Sequence, residues 1–351
     1  MLRRVVPILA TLAIVSSLLL WQWFEEALSK SLVVGEVGLV LEVTPGTGIN
    51  LLADKLVKQG VLESSLPLKI YARLYRLSDI KAGDYLLSGG ETSISLLEKL
   101  TTGAVRQHFI TFPEGWTLSQ WRSELASASY LTHTLSEHSS AETAKNLGIE
   151  YENPEGWFAP DTYLYRSGDS DLSVLNRAYR AMTKQLNKLW PERQAGLPYQ
   201  TPYEALVMAS IIEKETGTAE ERAQIAGVFV LRLQKNMLLQ TDPSVIYGLG
   251  ENFDGNLTRQ HLKQESAYNT YRRKGLPPTP IANPGVDALQ AALHPAAGKA
   301  LFFVAKGDGS HYFSASLDEH NKAVRKYQIN NRARVYRSAP NPQQNDNKRG
   351  E

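Results

Sequence analysis

Between Val5 and Phe24 the chain carries no formal charge. A run of about 20 such residues is what a bilayer core demands of a helix. No other feature constrains the chain as much, because whatever follows must stay on one side of the membrane. Arg3 and Arg4 precede the run. Basic flanks stay cytoplasmic, so the remaining chain is expected to be exported. Trp21, Trp23 and Phe24 fit an aromatic belt at the far interface. A cleaved signal peptide is the rival reading, but the run ends in tryptophans and Glu25-Glu26 with no small-x-small cleavage site. The expectation is a cytoplasmic stub over residues 1–4 and an uncleaved single-pass anchor over 5–24.

An exported chain does well without thiols, and this one has no cysteine in 351 residues. That excludes a thiolate nucleophile, a disulfide and a Cys-ligated metal. Lysine and arginine number 38 against 36 acidic residues, a net charge of +2. No global field argues for nucleic acid.

After a short spacer, valines and leucines from Leu32 to Val43 read as a strand. Ile49, Leu52 and Leu56 recur at helical spacing until Gly60, and a second helix follows from about Pro67 to Leu77. A turn then a strand is expected over 82–87, and a third helix from Thr92 to Leu100, closed by Gly103. This β-α-α-β-α unit, residues 32–105, reads as a small domain of its own. Residues 106–335 read as a larger α+β domain with a long helix over 172–190 and strands at 301–305 and 311–314. The tail over 336–351 has almost no apolar content and is expected to be disordered. The fold class is therefore α+β: an N-terminal transmembrane helix, a small module and a larger domain.

Within the larger domain, Thr201-Pro202-Tyr203-Glu204 is a capping box that starts a helix at Pro202. Gly217 is placed to end it as a left-handed cap, and Thr218-Ala219-Glu220-Glu221 reads as a second capping box. Glu215 then lies in the last turn. At 100° per residue it sits roughly 20–60° from Met208, Ile211 and Ile212, while Glu213 points the other way. A carboxyl on an apolar face, at the negative end of a helix dipole, is pushed towards its neutral form. Such an acid can protonate a leaving group. A solvated or salt-bridged glutamate is the bland alternative.

The run Met208-Ala209-Ser210-Ile211-Ile212-Glu213-Lys214-Glu215-Thr216 resembles the signature of the YceG-like family, the endolytic murein transglycosylases. So do Glu155-Gly156-Trp157-Phe158-Ala159-Pro160-Asp161, Leu239-Gln240-Thr241-Asp242-Pro243 and Ala267-Tyr268-Asn269-Thr270-Tyr271. Pro280-Ile281-Ala282-Asn283-Pro284, His294-Pro295 and His311-Tyr312-Phe313 continue the match in order over roughly residues 5–330. The resemblance implies an enzyme that cuts peptidoglycan glycans internally, with Glu215 as catalytic residue and no cofactor. It implies that residues 32–105 are a LysM-like peptidoglycan-binding module and 106–335 the catalytic domain. It also implies a place in the inner membrane facing the periplasm, near peptidoglycan synthases. One acid suffices in that chemistry, because the substrate's own C6 hydroxyl replaces the second carboxylate of a glycosidase.

Gln240, Thr241 and Asp242 are candidates for binding sugar hydroxyls or N-acetyl groups; alternatively Asp242 caps a turn or helix at Pro243. Tyr268, Asn269, Thr270 and Tyr271 combine rings with amide and hydroxyl, as sugar recognition requires. Asn283 in its proline-flanked loop and Asp161 are further candidates for the cleft. Trp157, with Tyr163 and Tyr165, reads either as a glycan platform or as core. His311 and His320 lack an obvious third ligand, so no metal is expected. Two rivals remain for the whole chain: a non-catalytic glycan-binding scaffold, and a pyridoxal-phosphate lyase, for which Lys214 is the only lysine in the central motif.

Overall fold

The computed structural model describes residues 2–35 and 37–330, without the side chains of residues 2–7 and Ala10. The tail over 336–351 and the end of the larger domain lie outside the described residues. The architecture is mixed α+β, with helices and three two-stranded sheets. The chain divides into two compact units, the first mainly residues 1–109 and the second mainly 110–351.

The first unit begins with α1 (Leu2–Ser29). Its described apolar side chains as far as Trp23 are exposed, among them Ile8, Leu12, Ile14, Leu18 and Leu19, whereas Leu28 near its end is buried. Among the described residues no helix is long and apolar enough to cross a membrane; part of the expected anchor lies in side chains outside that set. Strand β1 (Leu39–Val43) pairs antiparallel with β2 (Gly83–Leu87), Leu41 opposite Tyr85. Between and after them run α2 (Ile49–Lys58), α3 (Leu66–Leu74) and α4 (Ser93–Thr102). Period two turns Leu41 and Val43 inward, where they meet Leu52, Leu56, Leu68, Leu96 and Leu97 in one buried cluster. Gly103, at φ 73°, ends α4. The strand expected from Leu32 starts only at Leu39. Gly38 holds φ 81° with Leu87 O 2.8 Å from where a Cβ would be, a conformation and an approach that suit glycine alone. Upstream, Leu32 and Val33 donate to Glu91 O and Val61 O instead of to a sheet neighbour.

Strands β3 (His108–Thr111) and β4 (Thr162–Tyr165) pair with each other. The second unit contains α5 (Leu118–Ser127), α6 (Ser140–Leu147), α7 (Asp171–Leu189), α8 (Pro202–Glu215) and α9 (Ala219–Gln234). They are followed by α10 (Asp242–Leu249), α11 (Arg259–Lys263), α12 (Val286–Leu293), the hairpin β5 (Phe302–Ala305) and β6 (His311–Ser314), and α13 (Leu317–Val324). Helix α8 starts as its sequence dictates: Thr201 accepts from Glu204 N–H, and the Glu204 carboxylate accepts from Thr201 N–H. Every residue from Ala205 to Ile212 is buried, enclosed by a core drawn also from α7, α9 and α12.

The corner after α8 departs from expectation. Thr216 is extended at φ −146°, and Gly217 is not among the residues with positive φ. Nor does a capping box open α9, whose Thr218 side chain makes no cap bond. Thr218 Oγ1 donates to Gly309 O, and the Glu221 carboxylate accepts from His311 N–H. Tertiary partners have taken both groups that local capping would have used.

Candidate functional site

Helix α8 delivers Glu215 to a cleft of about 1960 Å³ within the second unit. The cleft is lined by the start of α5, Glu155, Arg232, Phe302, Phe303 and His311 among others. Burial pushes the Glu215 carboxyl up to about 7. The neighbouring charge of Asp242 adds to the rise, while Thr241 and Arg232 oppose it. Thr241 Oγ1 donates to Glu215 Oε1. Thr241 is itself buried and held: its N–H donates to Thr270 Oγ1 at 3.0 Å, and Ser244 Oγ donates to its carbonyl at 2.9 Å. Gln240 enters this turn at φ 52°, unusual for a side chain with a Cβ, and its N–H donates to Thr270 O at 3.1 Å. Arg232 is buried beneath the site, donating to Leu301 O at 2.7 Å and Leu239 O at 2.6 Å.

A second buried carboxyl lines the same cleft. Glu155 accepts from Leu118 N–H at 2.9 Å, from Asn283 Nδ2 at 3.2 Å and from Tyr247 OH at 3.2 Å. Burial raises it to about 7 against these donors. It therefore joins the first turn of α5, the Asn283 loop and α10. No local signal marks this role, since its partners lie 37 to 128 residues away. Gly156 lets the chain pass at φ 84°, with Pro280 Cβ 2.4 Å from where a Cβ would stand. Gly156→Ala is accordingly expected to cost roughly 2 kcal/mol or more, read as a lowered urea midpoint at unchanged slope.

Of the residues expected to contact substrate, Glu215, Gln240, Asp242 and Tyr271 line the cleft, with Thr241 directly behind Glu215. Tyr271 OH donates to Asp242 Oδ1 at 2.5 Å. Thr241 precedes α10 without a side-chain cap bond, its hydroxyl going to Glu215 instead, and Asp242 follows in the first turn. The others are placed elsewhere. Asn269 is buried and donates to three carbonyls, among them Gln264 O at 2.6 Å. Thr270 is spent on the Thr241 turn. Asn283 is buried, accepting from Phe158 N–H and donating to Trp116 O and Glu155. Tyr268 packs edge-on against Tyr247, its hydroxyl paired with Thr279. Trp157 is stacked with Tyr203 at the edge of the core. Asp161 is exposed and binds its neighbour's N–H. Asp161 apart, the amide, hydroxyl or ring suited to sugars is used on the protein's own backbone or core.

Glu213 is almost buried, its carboxylate accepting from Gly285 N–H at 3.0 Å and lying 3.8 Å from Arg222. It ties α8 to the start of α12. His311 Nδ1 is engaged by Glu221 at 2.7 Å, and His320 stacks on Phe302. Among the described residues no three histidines, aspartates or glutamates are grouped to hold a metal. Lys214 reaches out of the α8 turn to Gly115 O at 3.2 Å.

The sequence profile of the YceG-like family matches residues 41–326, a span that contains every residue of this cleft up to α13. The chain belongs to the YceG-like family. A relative named endolytic murein transglycosylase, from Bacillus subtilis (strain 168), is 33% identical over 306 residues, covering 82% of this chain and 84% of its own length. A protein of the same name from Streptococcus pneumoniae serotype 2 (strain D39) is 26% identical over 316 residues; the match covers 80% of this chain but 57% of that protein. Among solved structures, a crystal structure of a yceG-like protein from Listeria monocytogenes is similar at a TM-score of 0.51 and 28% identity. That match covers 82% of this chain and 99% of the other.

Proposed function

We propose that this YceG-like chain is an endolytic lytic transglycosylase, cleaving MurNAc–GlcNAc bonds inside peptidoglycan strands and leaving 1,6-anhydroMurNAc ends. The observation that carries the reading is the Glu215 carboxyl, held by the Thr241 hydroxyl and pushed by burial up to about 7, on the wall of a cleft of about 1960 Å³. The names of the relatives agree with it.

In this reading the protonated Glu215 gives its proton to the glycosidic oxygen as the C1–O bond breaks. The resulting carboxylate takes the proton of the C6 hydroxyl, whose oxygen closes on C1. Water and a metal are not consumed. Turnover then requires protonated Glu215, so kcat/KM is expected to fall about tenfold per pH unit above roughly 7, checked by initial rates at low substrate between pH 5 and 9. The exposed apolar side chains of α1 support single-pass anchoring in the inner membrane, with the second unit in the periplasm. The β-α-α-β-α order of the first unit supports a LysM-like glycan-holding role. A tethered cutter of this kind would limit the elongation of nascent strands beside the synthases that make them.

The test is mass spectrometry of peptidoglycan treated with the purified chain. Release of 1,6-anhydroMurNAc ends supports the proposal. Reducing-end MurNAc would make the enzyme a hydrolase. Binding without cleavage would leave a glycan-holding scaffold.

A further inference from the structure

The reaction above leaves one charge unattended. As the C1–O bond breaks, positive charge grows on C1 and the ring oxygen of MurNAc, and Glu215 has its proton to move. Asp242 lines the cleft beside it. Thr241, whose hydroxyl donates to Glu215, is the residue before Asp242, and the Asp242 charge acts on the Glu215 carboxyl. Asp242 is exposed to the cleft rather than sunk in the wall. One of its oxygens is held by the Tyr271 hydroxyl. Among the described residues no cation forms an ion pair with it and its second oxygen accepts no hydrogen bond, so its charge is oriented but not neutralised.

The two carboxyls also occupy opposite ends of helices. Glu215 is the last residue of α8 and Asp242 the first of α10. A helix favours negative charge at its start and disfavours it at its end. Glu215 thus stands at a helix end that disfavours negative charge, and Asp242 at a helix start that suits a negative group.

We propose that Asp242 is a second catalytic carboxylate, which stabilises the oxocarbenium-like transition state electrostatically and forms no bond to it. The inference rests on the transglycosylase reading and adds a participant to it. The balance is unchanged: the Glu215 proton goes to the leaving oxygen, C6–O forms its bond to C1, and the C6 hydroxyl proton returns to Glu215. In the free protein, deprotonating Glu215 sets two carboxylates side by side. In the transition state a cation stands near both, and their repulsion is relieved. That interaction is stronger in the transition state than in the ground state, which is the condition for catalysis.

The experiment compares the full chain with its Asp242→Asn variant on isolated glycan strands, from pH 5 to 8. The wild type is measured first. If it releases no 1,6-anhydroMurNAc ends, the transglycosylase reading fails before Asp242 is tested. If it does, the variant is expected to give the same product with kcat about 100-fold lower and KM little changed. The deficit should persist at pH 5, where Glu215 is protonated in both proteins. A deficit that closes at pH 5 would mean that Asp242 only sets the proton affinity of Glu215. A raised KM at unchanged kcat would make it a sugar-binding group. Either result overturns the proposal. A binding measurement gives a second readout: the wild type should hold a cationic N-acetylated iminosugar at least about tenfold tighter than the neutral sugar of the same shape. Asp242→Asn should lose that preference, and an unchanged preference would sink the idea.

Discussion

Replacing Glu215 with glutamine is expected to lower turnover by roughly 10³-fold or more, because the variant removes the acid and the base in one change. Glutamine can still accept the Thr241 hydroxyl, so the fold should survive. Stability gives an independent signature. Burial lifts the carboxyl from 4.5 to about 7 in the folded protein, so folding favours the protonated form. Below about 4.5 folded and unfolded chains both hold the proton, and glutamate and glutamine should be nearly equivalent. Between 4.5 and 7 the unfolded chain gives its proton up more readily, and the wild type loses stability as pH rises. At about 1.4 kcal/mol per tenfold change in proton affinity, the loss reaches at most ~3 kcal/mol. The Glu215→Gln variant should therefore melt above the wild type at pH 8 and together with it at pH 4. Melting curves at those two values check this directly. Glu213→Ala should behave in the opposite manner, keeping activity in the surviving fold and losing stability, since it leaves the Gly285 N–H and Arg222 without their acceptor.

Glu155→Ala is expected to have the largest effect on folding. It leaves Leu118 N–H, Asn283 Nδ2 and Tyr247 OH without their acceptor in a buried place, and opens a cavity. Three stranded donors at about 1–3 kcal/mol each, not fully additive, amount to roughly 3–5 kcal/mol. Urea titration should show it as a midpoint shift. Activity should fall as well, because Tyr247 belongs to α10, the helix that opens with Asp242 next to the hydroxyl bonded to Glu215. Glu155→Gln is a milder probe. It keeps one acceptor oxygen but turns an NH₂ towards donors, and should cost about 1–3 kcal/mol.

Those two glutamates also mark what could and could not be read from sequence. Helix α8 was legible because its start is encoded locally, in a threonine, a proline and a glutamate three residues from the cap. The place of Glu215 at the end of α8 was legible from that start. The face argument did not separate it from Glu213, because the core encloses every side of α8 and burial raises both carboxyls. Glu155 was not legible, because its role consists of partners brought from distant parts of the chain. The same reason explains the failed capping box at Thr218, whose hydroxyl and Glu221 found better partners near His311. Asn269, Thr270 and Asn283 were misplaced for a chemical reason: an amide or hydroxyl that suits a sugar suits a backbone carbonyl equally, and sequence does not say which arrives. The start of β1 was lost to Gly38, whose left-handed turn interrupts an otherwise strand-like run of valines and leucines.

Helix α8 is buried on all sides from Ala205 to Ile212, and this has a consequence for anyone mapping the protein by mutation. In a saturation scan scored by growth or wall chemistry, eight consecutive positions should tolerate little beyond conservative exchange, and a heat map would paint the whole segment as catalytic. Only the residue at its end would owe that colour to chemistry. Abundance measured beside activity would separate them: losses along the helix would follow the amount of protein, while Glu215 variants would accumulate normally and do nothing.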